Sequence, residues 1–151
     1  MEFSFSTIFW IVIAAVAAFA VRIYNRLVAL RQTRQNAFSD IDVQLKQRYD
    51  LIPQLLETVK GYMKHEEKLL TEVTEARTRV GKAGGMDERV AAEGVLGGAM
   101  MNLFAVAENY PDLKASDNFK ELQSELSDIE NKIAAARRFF NNATSELNTY
   151  V

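Results

Sequence analysis

The stretch FSFSTIFWIVIAAVAAFAVRIYNR (residues 3–26) decides the fold, because it holds no charged side chain before Arg22. The uncharged run from Phe3 to Val21 is 19 residues long. As an α-helix it would rise about 28 Å, close to the roughly 30 Å hydrocarbon thickness of a bilayer. A core helix of a small soluble domain would carry a polar face, and this run has almost none. We therefore expect a single membrane-spanning anchor.

Large apolar side chains fill this anchor, and Trp10 is expected at or just below the headgroup level. The residues expected to anchor the chain are Ile8, Trp10, Ile11, Val12, Ile13, Val16 and Phe19. A cleaved signal peptide is the alternative, because the small-residue triplets at 15–17 and 18–20 resemble cleavage sites. A signal peptide would begin with basic residues, whereas only Met1 and Glu2 precede the run, so we favour the uncleaved anchor.

The charges that flank the run predict its orientation. Four arginines separate it from the first following acid, Asp40, and no basic side chain precedes it. These are Arg22, Arg26, Arg31 and Arg34, of which the first three are the membrane-proximal ones. The positive-inside rule then places the amino terminus outside and the remainder of the chain in the cytoplasm. Each arginine close to the surface would also attract anionic headgroups by about 1 kcal/mol.

Composition limits the chemistry. The formal net charge of −2 gives no general attraction to nucleic acid, so none is expected as a partner. The chain has no cysteine, which excludes disulfides, thiolate metal sites and cysteine nucleophiles. Its one histidine, His65, cannot supply the two Glu-x-x-His pairs of a di-metal bundle site. Nucleophile, phosphate-loop and kinase motifs are absent, so we expect no enzyme, metal, cofactor or small-molecule substrate.

Apolar residues recur at helical spacing after the anchor and predict an all-α fold. The first stripe continues the anchor through Ile23, Leu27, Leu30, Ala37 or Phe38, Ile41, Leu45, Ile52, Leu56, Val59 and Met63. Pro53 lies inside this stripe, where we expect a kink near residues 49–52 and not an end. Gly61 is the expected break.

Three further helices are expected beyond Gly61. GKAGG at 81–85 predicts a loop between the second and third, and Asp87 is the candidate N-cap of the third. That helix should run to about Ala107, before a turn at Tyr110-Pro111. The turn leads to a last helix, which Ser116 or Asp117 caps.

The last helix has the clearest pattern. Its apolar residues are Phe119, Leu122, Leu126, Ile129, Ile133, Ala136, Phe140, Ala143 and Leu147. Their spacings alternate between three and four, the seven-residue repeat of a left-handed coiled-coil seam. The sum is an antiparallel four-helix bundle (23–151) whose first helix continues from the transmembrane anchor (1–22).

Two groups of residues are candidates for function. Gly94, Gly97, Gly98 and Ala99 form a small-residue face on the third helix, where each glycine costs up to about 1 kcal/mol. Two alternatives explain these small residues: tight packing within the chain, or a contact with another subunit or a partner.

The second group is a polar network. Glu130, Arg137 and Asn141 share one side of the last helix, and Arg34 and Arg48 fall on the stripe of the first. An ion pair between Glu130 and either Arg48 or Arg34 is expected. It would fix the register of the bundle or bind a partner or an anionic ligand.

Three further motifs are RYDLIP (48–53), ENYPDLKAS (108–116) and ENKIAAARRFFNNA (130–143), which lie within the longer stretches 24–62 and 103–148. These motifs and stretches resemble the LemA family of bacterial membrane-anchored proteins. The resemblance implies an N-outside anchor followed by a helical bundle, at the bacterial inner membrane, and it implies no enzymatic activity.

Two functions agree with these features. The first is a structural scaffold that assembles with copies of itself, and with other membrane proteins, through helix contacts. The alternative is an adaptor that relays a membrane event to a cytoplasmic partner, with Pro53 as its flexible point.

Overall fold

A computed structural model describes residues 5–150 and, for Phe5 and Met86, the backbone alone. Within this range the chain is all-helical, as predicted, and forms five helices without a strand. They are α1 (Phe5–Lys60), α2 (Glu67–Lys82), α3 (Met86–Ala107), α4 (Pro111–Ala115) and α5 (Asp117–Tyr150). Residues 1–4 of the predicted anchor (1–22) lie outside the described range.

Helix α1 carries the apolar run and the first stripe as far as Val59 in one helix of 56 residues, and Met63 follows in the connection to α2. Every side chain from Ser6 to Arg22 is exposed. This helix is long and apolar enough to cross a membrane. Helix α3 is also long and apolar enough to cross a membrane, by length and composition alone, although 33% of its most apolar segment is buried.

Pro53 lies inside α1 without ending it. Proline has no N–H, so the carbonyl oxygen four residues earlier, on Tyr49, loses its usual helical donor. Arg77 of α2 replaces that donor, because its Nε–H donates to the Tyr49 carbonyl at 3.1 Å. The Arg77 guanidinium also stacks over the Tyr49 ring at 4.0 Å from its centroid. The proline is therefore accommodated by a side chain of the neighbouring helix.

The ends of α2 and α3 differ from the sequence prediction. Gly81 and Lys82 belong to α2, so the predicted loop at 81–85 is reduced to three residues. Asp87 is not the N-cap of α3, which is Gly85. No side chain caps Gly85. The Glu88 carboxylate instead accepts a hydrogen bond from the Gly84 N–H at 2.9 Å, which ties the preceding loop to the first turn of α3. An acidic side chain in the first turn also suits the helix dipole.

The predicted turn at Tyr110-Pro111 contains the short helix α4. Pro111 occupies its first turn, where a missing N–H costs nothing and the fixed φ suits a helix. Ser116 precedes α5, and its hydroxyl accepts a hydrogen bond from the Phe119 N–H at 3.5 Å. Of the two predicted caps, Ser116 is therefore the one used, and Asp117 lies in the first turn.

The chain divides into two compact units. The central unit comprises Gln44–Asn131, and the terminal unit comprises the described residues up to Val43 together with those from Lys132 on. Helices α1 and α5 contribute a segment to each.

All five helices contribute to the core of the central unit. The residues of its core cluster are Ile52, Leu55, Val59, Met63, Val73, Ala76, Leu96, Met100, Leu103, Ala107, Leu113, Phe119, Leu122 and Leu126. Fully burying one such large apolar side chain contributes about 1.5–3 kcal/mol relative to leaving it exposed.

The terminal unit contains segments of α1 and α5 alone. Its buried residues are Leu30, Ala37, Ile133, Ala143 and Leu147. The rings of Phe38 and Phe140 lie 6.0 Å apart. Along the whole of α5, seven of the nine predicted seam residues are buried, and Ala136 and Phe140 are half-buried.

We predict that Arg77→Met lowers the free energy of unfolding by about 1–3 kcal/mol, because it leaves the Tyr49 carbonyl without a donor. In a Pro53→Ala background the loss should be smaller, since the backbone N–H restored at that position supplies the donor. Urea unfolding of the four proteins in mild detergent measures the coupling. Arg79→Met, on the exposed side of α2, is the control and should change stability by less than about 0.5 kcal/mol. Equal losses in both backgrounds would refute the explanation.

Candidate functional site

The centre of the candidate site is Arg48, whose side chain is only 3% exposed. It lies in phase with the buried stripe of α1, between Leu45 and Ile52. The helical period therefore directs the guanidinium into the central unit, as it directs the leucine and the isoleucine.

Two acids from two other helices bind this guanidinium. Nη2 of Arg48 pairs with Oε2 of Glu93 on α3, and also donates to the Glu93 carbonyl at 3.3 Å. Nη1 pairs with Oε1 of Glu130 on α5. The side chain of Glu93 is 2% exposed, whereas that of Glu130 is 46% exposed. One cation thus joins α1, α3 and α5.

The Arg48–Glu93–Glu130 triad has one positive and two negative charges. Burial lowers the pKa of Arg48, but the hydrogen bonds and charges of Glu130 and Glu93 raise it further, so that its pKa lies above the ordinary value. Nε of Arg48 and Oε1 of Glu93 are buried without a hydrogen-bond partner among the described residues. The arrangement holds a fixed ion network and presents no nucleophile.

A groove runs beside the triad between α3 and α5. Its volume is about 670 Å³. The lining residues are Gly97, Met100, Met101, Phe104, Lys120, Gln123, Ser124, Leu126, Ser127 and Glu130. Its floor is therefore mostly apolar, and its charged groups are Lys120 and Glu130. A surface of this kind suits an apolar side chain or a helix better than a small polar substrate.

The other members of the predicted polar network lie elsewhere. Arg34, Arg137 and Asn141 belong to the terminal unit, and all three are exposed. The structure pairs Glu130 with Arg48, so of the two predicted arginines it does not use Arg34.

Sequence reasoning missed Glu93, although the sequence carries a signal for it. Glu93 precedes Leu96, Met100, Leu103 and Ala107 at spacings of three and four, all of which are buried. An acid that continues a buried stripe needs a cation, and Arg48 is the corresponding base on the stripe of α1.

The small residues of α3 are not packed uniformly. Gly94 and Gly98 are exposed, and a Cβ placed on either would meet nothing within 4 Å. Gly97 is half-buried, and its Cβ would lie 3.7 Å from Nη1 of Arg48, an ordinary contact distance. Ala99 is half-buried against the core. Packing within the described chain therefore gives no reason for glycine at 94 or 98.

An exposed apolar stripe surrounds these glycines. We call it the outer face of α3, and it consists of Val90, Gly94, Val95, Gly98 and Met101. Met101 is 74% exposed and Val90 60% exposed. No charged residue occurs from Gly94 to Ala107.

The predicted anchor and basic residues are all exposed. This holds for Ile8, Trp10, Ile11, Val12, Ile13, Val16 and Phe19, and for Arg22, Arg26 and Arg31. Arg26 also pairs with Glu146 of α5. Within residues 5–150 no cluster of three or more metal-ligating side chains occurs, and His65 is exposed.

Comparison with known proteins agrees with the resemblance noted in the sequence. The LemA family pattern matches residues 37–151. Magnetosome protein MamQ 2 of Paramagnetospirillum magneticum is 24% identical over 91% of this chain and 60% of its own length. Magnetosome protein MamQ of Magnetospirillum gryphiswaldense is 22% identical over 85% of this chain and 57% of its own length. Protein LemA of Metamycoplasma hominis is 26% identical, with coverages of 84% and 58%. The chain thus spans about three-fifths of the length of these curated relatives.

We predict that Arg48→Met destabilises the protein by about 3–5 kcal/mol, because Glu93 is left charged and buried. The loss should shrink as the pH falls from about 8 to about 5, since an unpaired buried carboxyl has a raised pKa and folds more easily when neutral. Thermal unfolding across this pH range measures it.

Two variants control that experiment. Arg34→Met makes the same change at an exposed site and should have little effect. Arg48→Met combined with Glu93→Leu removes both buried charges and should recover much of the lost stability. A loss independent of pH, with no recovery in the double variant, would contradict the role given to the triad.

Proposed function

We propose that this chain, which belongs to the LemA family, is a non-enzymatic scaffold anchored in a membrane, and that it assembles with its own copies through the outer face of α3. The observation that carries the proposal is that face, which is exposed, uncharged and apolar apart from the neighbouring amide of Asn102. The names of the relatives state no reaction.

The anchor is the first part of α1. Residues 6–21 expose apolar side chains on every side of the helix, which water disfavours and a bilayer accommodates. With Arg22, Arg26 and Arg31 following the run, the amino terminus would lie outside and the bundle in the cytoplasm, at the bacterial inner membrane.

The body of the scaffold would be an antiparallel four-helix bundle of α1, α2, α3 and α5, with α4 as a connector. Short connections at residues 61–66 and 83–85 support this arrangement, because a short loop returns a helix alongside its predecessor. The five-helix core of the central unit supports it as well.

The outer face of α3 is suited to helix contacts. Glycine inside a helix costs about 0.5–1 kcal/mol relative to alanine, and nothing in the described chain fills the space above Gly94 and Gly98. A second helix could approach the backbone closely there, with Val90, Val95 and Met101 covering the sides. Tethering to one membrane favours a copy as the partner, because it raises the local concentration of copies.

We predict that Gly98→Leu reduces assembly, because its side chain fills the space for the approaching helix, while the fold is kept. Gly98→Ala should raise helix stability by up to about 1 kcal/mol, since its Cβ meets nothing. Particle masses of full-length protein in detergent and in lipid nanodiscs measure assembly, and far-UV circular dichroism checks the fold.

Thr78→Leu, an equally exposed position on α2, is the matched control and should leave the mass unchanged. A monomeric wild-type protein, or an assembly that Gly98→Leu does not weaken, would refute self-assembly through this face.

The absence of cysteine makes the orientation directly testable. We predict that the single cysteine introduced by Ser4→Cys reacts with a membrane-impermeant maleimide in intact cells, because the proposed orientation places the amino terminus outside. Ser127→Cys, on exposed α5, should react only after the cells are opened. The reverse pattern would overturn the orientation, and loss of Ser4→Cys from the mature chain would indicate a cleaved signal.

The adaptor remains the second candidate function, and the groove between α3 and α5 is the observation that favours it. Its apolar floor and the exposed edge of Glu130 would receive a partner helix. An adaptor that bends at Pro53 is less well supported, because Arg77 donates a hydrogen bond to the Tyr49 carbonyl that the proline leaves without a donor. A monomer that a photo-crosslinker at Ser127 joins to another polypeptide would favour the adaptor.

A further inference from the structure

The end of α5 lies beside the first basic residues of α1. Arg26 pairs through Nη2 with Oε1 of Glu146. Its Cζ also lies 5.8 Å from the centroid of the Tyr150 ring. Glu146 and Tyr150 are one helical turn apart, so both reach the same guanidinium from one face of α5. All three residues belong to the terminal unit.

The order of contacts along the two helices shows which end of α5 is nearest the apolar run. Phe38 faces Phe140, whereas Arg26 faces Glu146 and Tyr150. As the numbers fall along α1 they rise along α5, so α5 ends in the direction of the apolar run.

The distance between the apolar run and Arg26 determines how far the contact between Arg26 and Tyr150 lies from the hydrocarbon core. Arg26 follows Arg22 by four residues, a rise of about 6 Å along a helix. The headgroup layer on each side of the hydrocarbon core is about 5–8 Å thick. If Arg22 marks the edge of the hydrocarbon, Arg26 and the ring beside it fall within that layer.

The exposed side chains here have the chemistry of a membrane interface. Tyr150 is 50% exposed and Tyr24 is 67% exposed. Tyrosine combines an apolar ring with a polar hydroxyl and is enriched at the headgroup level. Arg22 and Arg31, both exposed, add positive charge that complements anionic lipid.

We propose that the end of α5 is a second membrane contact, in which the Tyr150 ring lies among the lipid headgroups beside Arg26. This inference rests on the proposed anchor. The chain then touches the bilayer both at the apolar run and at the end of its last helix. The two contacts together limit how far α1 slides through the membrane and how far it tilts.

Depth-dependent quenching of tryptophan tests the contact. The only native tryptophan is Trp10, so Trp10→Phe combined with Tyr150→Trp gives a single probe at the end of α5. The full chain is placed in vesicles of phosphatidylcholine and phosphatidylglycerol, with lipids brominated near the headgroup. Phe139→Trp in the same background is the matched probe, since it is similarly exposed and 11 residues earlier on α5.

We expect quenching at residue 150 to exceed that at residue 139 by about twofold or more. Arg26→Gln should reduce quenching at residue 150, because the ring loses the cation beside it. Arg31→Gln, which removes an exposed arginine further along α1, should reduce it less.

Native Trp10 separates this inference from the proposed anchor. If acyl-chain bromines at any depth quench native Trp10 but residue 150 is quenched no more than residue 139, the second contact is wrong and the anchor stands. If Trp10 itself is not quenched, the anchor is refuted, and with it the basis of this proposal. Circular dichroism of each variant confirms that α-helix content is unchanged.

Discussion

The guanidinium of Arg48 is the charged group that three helices of the central unit share. Removing ions from water costs several kcal/mol each, and this buried cluster pairs one cation with two acids. Such a network is poor evidence for stability, but its charges pair in only one register of the helices. Sliding α3 by one turn would replace Glu93 opposite Arg48 with Arg89 or Gly97, a like charge or no side chain. We interpret the triad as the device that selects one alignment of α1, α3 and α5.

Replacement of a lost hydrogen-bond donor explains how α1 continues through Pro53 as one helix. The proline removes one backbone donor, and Arg77 returns it from α2 while its guanidinium stacks on the Tyr49 ring. Arg48 and Arg77 thus act across helices, Arg48 on carboxylates and Arg77 on a carbonyl. Apolar burial brings the helices together, and these directional contacts distinguish the observed alignment from its neighbours.

Apolar periodicity was enough to predict the helices and the buried side of α5, because burial follows the repeat wherever a helix packs. It could not predict α4, since five residues are too few to show a period. Nor could it separate Arg34 from Arg48, which lie on the same stripe. The difference is in their surroundings. Five helices contribute to the central unit around Arg48, whereas the terminal unit has segments of two, so a long side chain such as Arg34 reaches water.

Within residues 5–150, two exposed apolar surfaces differ in the surroundings that would suit them. Residues 6–21 are exposed around the whole helix, as lipid requires. Helix α3 is exposed on one side only, while its other side carries Glu93 and the core. Its uncharged stretch of 14 residues would rise about 21 Å, which is less than the hydrocarbon thickness, although the whole helix is long enough to cross it. Lipid gives no reason to prefer glycine at exposed positions 94 and 98, whereas a close helix does. These differences support the proposal that the outer face of α3 binds a protein and that residues 6–21 lie in the bilayer.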